Sequence, residues 1–172
     1  MHRGAVTGIT SVAILICILV VPTSTSAGPS GPRGRTICFG AQADIVGTPG
    51  DDVLEGTPAR DVITGLGGDD SIAGAGGNDT ICGGTGQDDL VGGGGNDTML
   101  GGGSLDVVTG GAGHDLMYGN AGSDAMRGGP ADEVLDGGAG GDVLRGLGGD
   151  DEAFGGRGID DCVAETEVDC ER

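Results

Sequence analysis

GLGGDDSIA (65–73), GAGGNDTIC (74–82), GGGGNDTML (92–100) and GGAGHDLMY (110–118) are variants of one nine-residue pattern, and that pattern decides the fold. Residues 47–163 divide into thirteen consecutive nonapeptides with no insertion or deletion. Position one is Gly in all thirteen, and position four is Gly in ten, the exceptions being Ala59, Ser104 and Ala131. Position six is an acid throughout: Asp52, Asp61, Asp70, Asp79, Asp88, Asp97, Asp106, Asp115, Asp124, Glu133, Asp142, Asp151 and Asp160. A period of nine matches neither the 3.6-residue helical repeat nor a long alternating strand. It fits a six-residue turn followed by a three-residue strand, repeated as half-turns of a coil whose glycines permit tight curvature. Neighbouring strand residues point to opposite faces, so only position eight needs to face inward. Leu54, Ile63, Ile72, Ile81, Leu90, Met99, Val108, Met117, Met126, Leu135 and Leu144 would then stack as two ladders, followed by the smaller Ala153 and Cys162. The expected fold is all-β, a parallel β-roll. Each half-turn would lie over the one two repeats on, about 4.8 Å along the axis.

Composition excludes an ordinary globular interior. The 172 residues include 42 Gly, 27 Asp plus Glu, 8 Arg and no Lys, and the aromatics are Phe39, Tyr118 and Phe154 alone. Glycine offers no side chain to pack and costs the most backbone entropy on ordering. Something other than a packed apolar core has to hold such a chain together. Nucleic acid is excluded as a partner, because phosphate binding needs clustered Lys and Arg. A polyanion of this density attracts cations instead.

In-phase copies of G-G-x-G-x-D-x-U-x, with U a large apolar residue, resemble the haemolysin-type, or RTX, calcium-binding repeats. More narrowly, the chain resembles the short exported members of that family from high-GC Gram-positive bacteria. The resemblance covers 117 residues. It implies a roll that binds several Ca²⁺ between stacked turns, with the position-six acids listed above as metal ligands.

Elementary electrostatics points the same way. The position-six carboxylates of odd and even repeats form two columns. Two unit charges about 5 Å apart repel by roughly 0.8 kcal/mol in water and about 3 kcal/mol at an effective dielectric of 20. With one apolar side chain per nine residues to oppose this, the metal-free roll is expected to be unfolded. Ca²⁺ takes oxygen ligands in flexible geometry, whereas Mg²⁺ demands a stricter octahedron. Zn²⁺ prefers His and Cys, and His114 is the one His beyond residue 27. Thirteen repeats leave six gaps in one column and five in the other, hence up to eleven sites. Repeats 56–64, 101–109 and 128–136 lack Gly at position four, and five gaps touching them are weaker candidates. The best pair Asp70 with Asp88, Asp79 with Asp97, Asp97 with Asp115, and Asp124 with Asp142.

The ends carry their own signals. His2 and Arg3 precede an apolar run over 12–21, then Pro22 and a small polar stretch ending at Ala27, the order of a secretory signal peptide. The expected organisation is a signal peptide over 1–27, an N-terminal linker and cap over 28–46, the roll over 47–163 and a C-terminal cap over 164–172. Without residues 1–27, seven Arg face 27 acids, a net charge of −20. Residues 38–46 resemble a degenerate extra repeat with Ile45 at position eight, and Glu171 would take the core position of the C-terminal cap. The apolar run is too short to span a bilayer, so no membrane span is expected.

Cys38, Cys82, Cys162 and Cys170 suggest two disulfides in an exported chain, with three possible connectivities. Order along a coil favours Cys38–Cys82 and Cys162–Cys170. The first pair lies two strands apart in one column, about 9.6 Å, against the roughly 7 Å a disulfide tolerates. The N-terminal cap must therefore fold off the axis and lie over the second repeat.

The motifs H-E-x-x-H, G-x-S-x-G and G-x-x-x-x-G-K-[ST] are absent, and the chain is not expected to be an enzyme. Two functional readings remain. The first is a secreted, extracellular, monomeric calcium-binding protein that folds on meeting Ca²⁺. The alternative is an extracellular structural or adhesive rod with a cell-wall or matrix partner. Outer positions seven and nine mix Val, Thr, Ser, Asp and Arg and suggest no binding patch, which favours the first.

Overall fold

The computed structural model describes residues 37–164 and 166–170, so the signal-peptide reading and Glu171 lie outside the described residues. Strands alternate between two parallel sheets with no helix among the described residues. One sheet has seven strands: Val53–Glu55, Ser71–Gly76, Asp89–Gly94, Val107–Ala112, Ala125–Gly129, Val143–Leu147 and Asp161–Val163. The other has eight: Ile45–Val46, Val62–Gly67, Thr80–Thr85, Thr98–Gly103, Leu116–Ala121, Val134–Ala139, Glu152–Arg157 and Thr166–Val168. The chain is a parallel β-roll.

Its core is the position-eight ladder. Ile72, Leu90, Val108, Met126, Leu144 and Cys162 pair in one register. Ile63, Ile81, Met99, Met117, Leu135 and Ala153 do so in the other sheet, and all twelve join one buried cluster. Most strands are longer than the expected three residues. In Thr98–Gly103, for example, the strand runs on through the first three positions of the next repeat, with Gly101 as an unpaired corner. The turn proper shrinks to positions four to six.

Both ends depart from the nonapeptide register. Ile45–Val46 does pair with Ile63–Thr64 as an added strand. Residues 37–42, however, form a small antiparallel hairpin instead of a degenerate repeat. That hairpin lies on the outer face of the eight-stranded sheet, where Cys38 is buried with Val62, Cys82 and Leu100. Its position closes the Cys38–Cys82 bridge across a Cα separation of 5.9 Å, and Phe39 reaches Tyr118 with ring centroids 5.9 Å apart. At the other end the final strand pairs Glu152 with Thr166 and Ala153 with Glu167, fourteen residues on where the repeat would give eighteen. The shorter return brings Cys170 against the core cluster and lets it bond Cys162. In the chain-entropy model the 44-residue closure restricts the unfolded chain by about 4 kcal/mol.

Sorting outer positions by sheet refines the expectation of a mixed surface. Arg127 and Arg145 both sit on the seven-stranded sheet. The eight-stranded sheet carries Val62, Leu100, Leu116, Tyr118, Val134 and Phe154, interspersed with Thr64, Thr80, Thr98, Asp136 and Glu152. A linear view averages two different faces.

Candidate metal centre

Most position-six residues are fixed twice: the backbone carbonyl by the strand two repeats on, and the side chain by the backbone N–H of the turn stacked before it. The Asp79 carbonyl accepts the Thr98 N–H at 2.9 Å, and the Asp79 N–H donates to Asp97 Oδ1 at 2.8 Å. The second contact repeats along both columns. Asp52 donates to Asp70, Asp70 to Asp88, Asp88 to Asp106, Asp106 to Asp124, Asp124 to Asp142 and Asp142 to Asp160, at 2.8–2.9 Å. In the second column Asp61 donates to Asp79, Asp79 to Asp97, Asp97 to Asp115 and Glu133 to Asp151, at 2.8–3.0 Å. One break occurs among the described residues, between Asp115 and Glu133. The longer Glu133 side chain turns back to accept the Gly129 N–H at 2.8 Å.

The other carboxylate oxygen is left without a partner. The Oδ2 atoms of Asp70, Asp79, Asp88, Asp97, Asp106, Asp115, Asp124, Asp142 and Asp160 are buried and accept no hydrogen bond. These residues are no more than 2% exposed. Burying an ionised carboxylate without compensation is costly. The expense shows in the protonation equilibria. Burial, reinforced by the charges of neighbouring column members and opposed by the backbone N–H, pushes Asp97 and Asp124 up to about 6 and Asp106 up to about 7. Glu133 also rises to about 7, again mainly through burial. Asp70, Asp79, Asp88, Asp115 and Asp142 move in the same direction, with burial the largest cause.

Position-one glycine explains what surrounds these oxygens. A Cβ on Gly92 would lie 2.4 Å from Asp97 Oδ2 and 2.6 Å from the carbonyl oxygen of Gly110. On Gly74 the same atom would meet Asp79 Oδ2 at 2.5 Å and the Gly92 oxygen at 2.6 Å. The missing side chain thus leaves a small space lined by a carboxylate oxygen and the carbonyl of the next stacked turn. No three His, Cys, Asp or Glu side chains converge among the described residues, and the oxygens that line this space are those of a carboxylate and a backbone carbonyl. Hard oxygen donors with uncompensated negative charge suit Ca²⁺.

The turn of repeat 101–109 keeps this geometry despite lacking Gly at position four. Ser104 adopts the left-handed φ of 85°, and Asp106 is fully buried within the ladder. Asp52 and Asp61 differ, because Thr48 and Thr57 already donate to their Oδ2 atoms. Sequence reasoning missed those threonines, although the shared Thr-Pro at positions two and three was the available signal.

Fold and site together define a repeat solenoid of the structural, cation-binding class, with acidic turns stacked along both edges. The family model described as RTX calcium-binding nonapeptide repeat (4 copies) matches residues 46–81, 74–106, 83–117, 100–130 and 127–162, and the chain belongs to that family. A comparison with curated proteins found no match.

Proposed function

We propose that this is a secreted protein whose roll folds when it meets extracellular Ca²⁺. The observation that carries the reading is the run of buried Oδ2 atoms lacking any donor. Asp70, Asp79, Asp88, Asp97, Asp106, Asp115, Asp124, Asp142, Asp151 and Asp160 would hold the ions together with carbonyls of the stacked turns. Bound Ca²⁺ supplies positive charge and accepts six to eight oxygens. The chain's own part is to hold one carboxylate oxygen on a backbone N–H, aim the other at the gap and keep side chains out of it. Two disulfides suit an oxidising compartment, in line with the signal-peptide reading.

Far-UV circular dichroism tests the reading. The spectrum should be that of a coil in EDTA and β-structured in millimolar Ca²⁺, with a much weaker response to Mg²⁺. A chelated chain that is already β-structured and melts cooperatively would refute calcium-driven folding. One observation favours the adhesive-rod reading as a second possibility. The eight-stranded sheet presents Leu116, Tyr118, Val134 and Phe154 on one outer face, all of them partly accessible.

A further inference from the structure

The three turns with proline at position three treat their carboxylate differently from the others. In the first, the Thr48 N–H and hydroxyl donate to Asp52 Oδ2 at 2.5 and 3.0 Å. In the second, Thr57 does the same to Asp61 Oδ2 at 2.6 and 2.8 Å. In the third, the Gly129 N–H donates to Glu133 Oε2 at 2.8 Å. Proline supplies the cause. A residue preceding proline is pushed to extended conformations. Thr48, Thr57 and Gly129 accordingly lack the left-handed φ of their position-two counterparts, such as Gly93 at 108° and Asn120 at 74°. The position-two N–H is thereby turned onto the carboxylate of its own repeat.

We infer that the two Thr-Pro turns are rungs built to stand without a cation and form a calcium-independent cap on which the rest of the roll winds, whereas Glu133 keeps a buried Oε1 without a partner. The inference rests on the reading that the other turns need Ca²⁺. At Asp52 and Asp61, an N–H and an O–H supply the positive partners that the Oδ2 atoms of Asp70, Asp79, Asp88 and Asp97 lack. An apolar cluster of Cys38, Val62 and Cys82, with Phe39 packed against it, lies over this end and reaches along the sheet to Leu100 and Tyr118. The Cys38–Cys82 bridge holds it in place. Repeat solenoids gain stability through nearest-neighbour interfaces, and folding propagates from any formed unit. A cap that persists without calcium therefore offers a ready edge to the next strands, Ser71–Gly76 and Thr80–Thr85.

Hydrogen exchange on the full-length oxidised chain tests this, read by mass spectrometry in EDTA and in millimolar Ca²⁺. In EDTA, peptides from 44–67 should exchange at least about tenfold more slowly than those from 107–157. Calcium should then protect 107–157 and change 44–67 little. Loss of protection in both segments in EDTA, with both recovering in Ca²⁺, would overturn the cap and leave calcium-driven folding standing. Protection of both in EDTA would overturn both readings. The paired substitution Thr48→Val and Thr57→Val removes only the hydroxyl donors. It should cut protection of 44–67 in EDTA severalfold, and unchanged protection would refute the role given to the threonines.

Discussion

Repeat 92–100 contains four consecutive glycines in different surroundings, so alanine substitutions within it separate the reasons for glycine. At Gly92 the added methyl would sit 2.4 Å from Asp97 Oδ2 and 2.6 Å from the Gly110 carbonyl, about 1 Å inside ordinary contact. Neither neighbour yields easily. The carbonyl is backbone, and Asp97 Oδ1 is tied to the Asp79 N–H at 2.8 Å. Overpacking of this kind costs about 1–3 kcal/mol, and displacing the carboxylate forfeits a charged hydrogen bond worth roughly 1.5–3 kcal/mol. Against this, replacing Gly by Ala restricts the unfolded chain by about 0.4–1 kcal/mol. Gly92→Ala should therefore destabilise the calcium-loaded roll by about 2–5 kcal/mol. At Gly94 the methyl would meet nothing within 4 Å, and Ala112 and Ala121 already fill the equivalent position two and three repeats on. Gly94→Ala should stabilise by about 0.4–1 kcal/mol. Gly95→Ala, with φ of 124° and a methyl 1.8 Å from the Gly77 carbonyl, should be as damaging as Gly92→Ala. Urea unfolding in saturating Ca²⁺, alongside the calcium midpoint of folding, measures all three. Equal effects at Gly92 and Gly94 would refute the account of position one.

Three further outcomes follow from the columns and the bridges. Asp97, Asp106, Asp124 and Glu133 have native pKa values of about 6 to 7, above the ordinary carboxylate range. The metal-free native state thus binds more protons than the unfolded chain, so it should gain stability as pH falls from about 7 toward about 4 and lose it again on raising the pH. In calcium-driven folding the unfolded chain and the calcium-loaded roll are both deprotonated between pH 7.5 and pH 5.5, so the calcium midpoint should stay nearly constant there and rise only as pH falls toward about 4; a midpoint that climbs steeply within that range would contradict folding from an unfolded chain. Asp97→Ala removes a residue bonded both to Asp79 and to Asp115, and should raise the calcium midpoint more than Asp61→Ala, whose carboxylate Thr57 already serves. Replacing Cys38 and Cys82 by Ser should cost about 4 kcal/mol in thermal unfolding, and replacing Cys162 and Cys170, eight residues apart, about 2.5 kcal/mol.

Much of the roll was legible in the linear pattern. Gly at position one, an acid at position six and Leu54, Ile63, Ile72 and their successors at position eight repeat without a slip. One unit therefore stacks on the next but one, and the core ladders follow. The lengths of the strands were not legible, because pairing of Gly102 with Asn120, and of Gly103 with Ala121, draws two turn positions into the sheet. The ends were read only in part. Ile45 does join the sheet, but the hairpin and the fourteen-residue return are set by packing of Cys38 and Cys170.

The sequence by itself determined the period, the parallel stacking and the two acidic columns, because each needs only a local template repeated in phase. Tertiary structure alone decided which carboxylate oxygens have partners, since that depends on residues eighteen apart and on whether a turn holds proline. It also decided the unlike outer faces, because alternate repeats go to different sheets and a nine-residue template cannot tell them apart. Asp52 and Asp97 both hold position six of a repeat with Gly at positions one and four. Only the folded turn brings Thr48 onto the first and leaves the second without a donor on Oδ2.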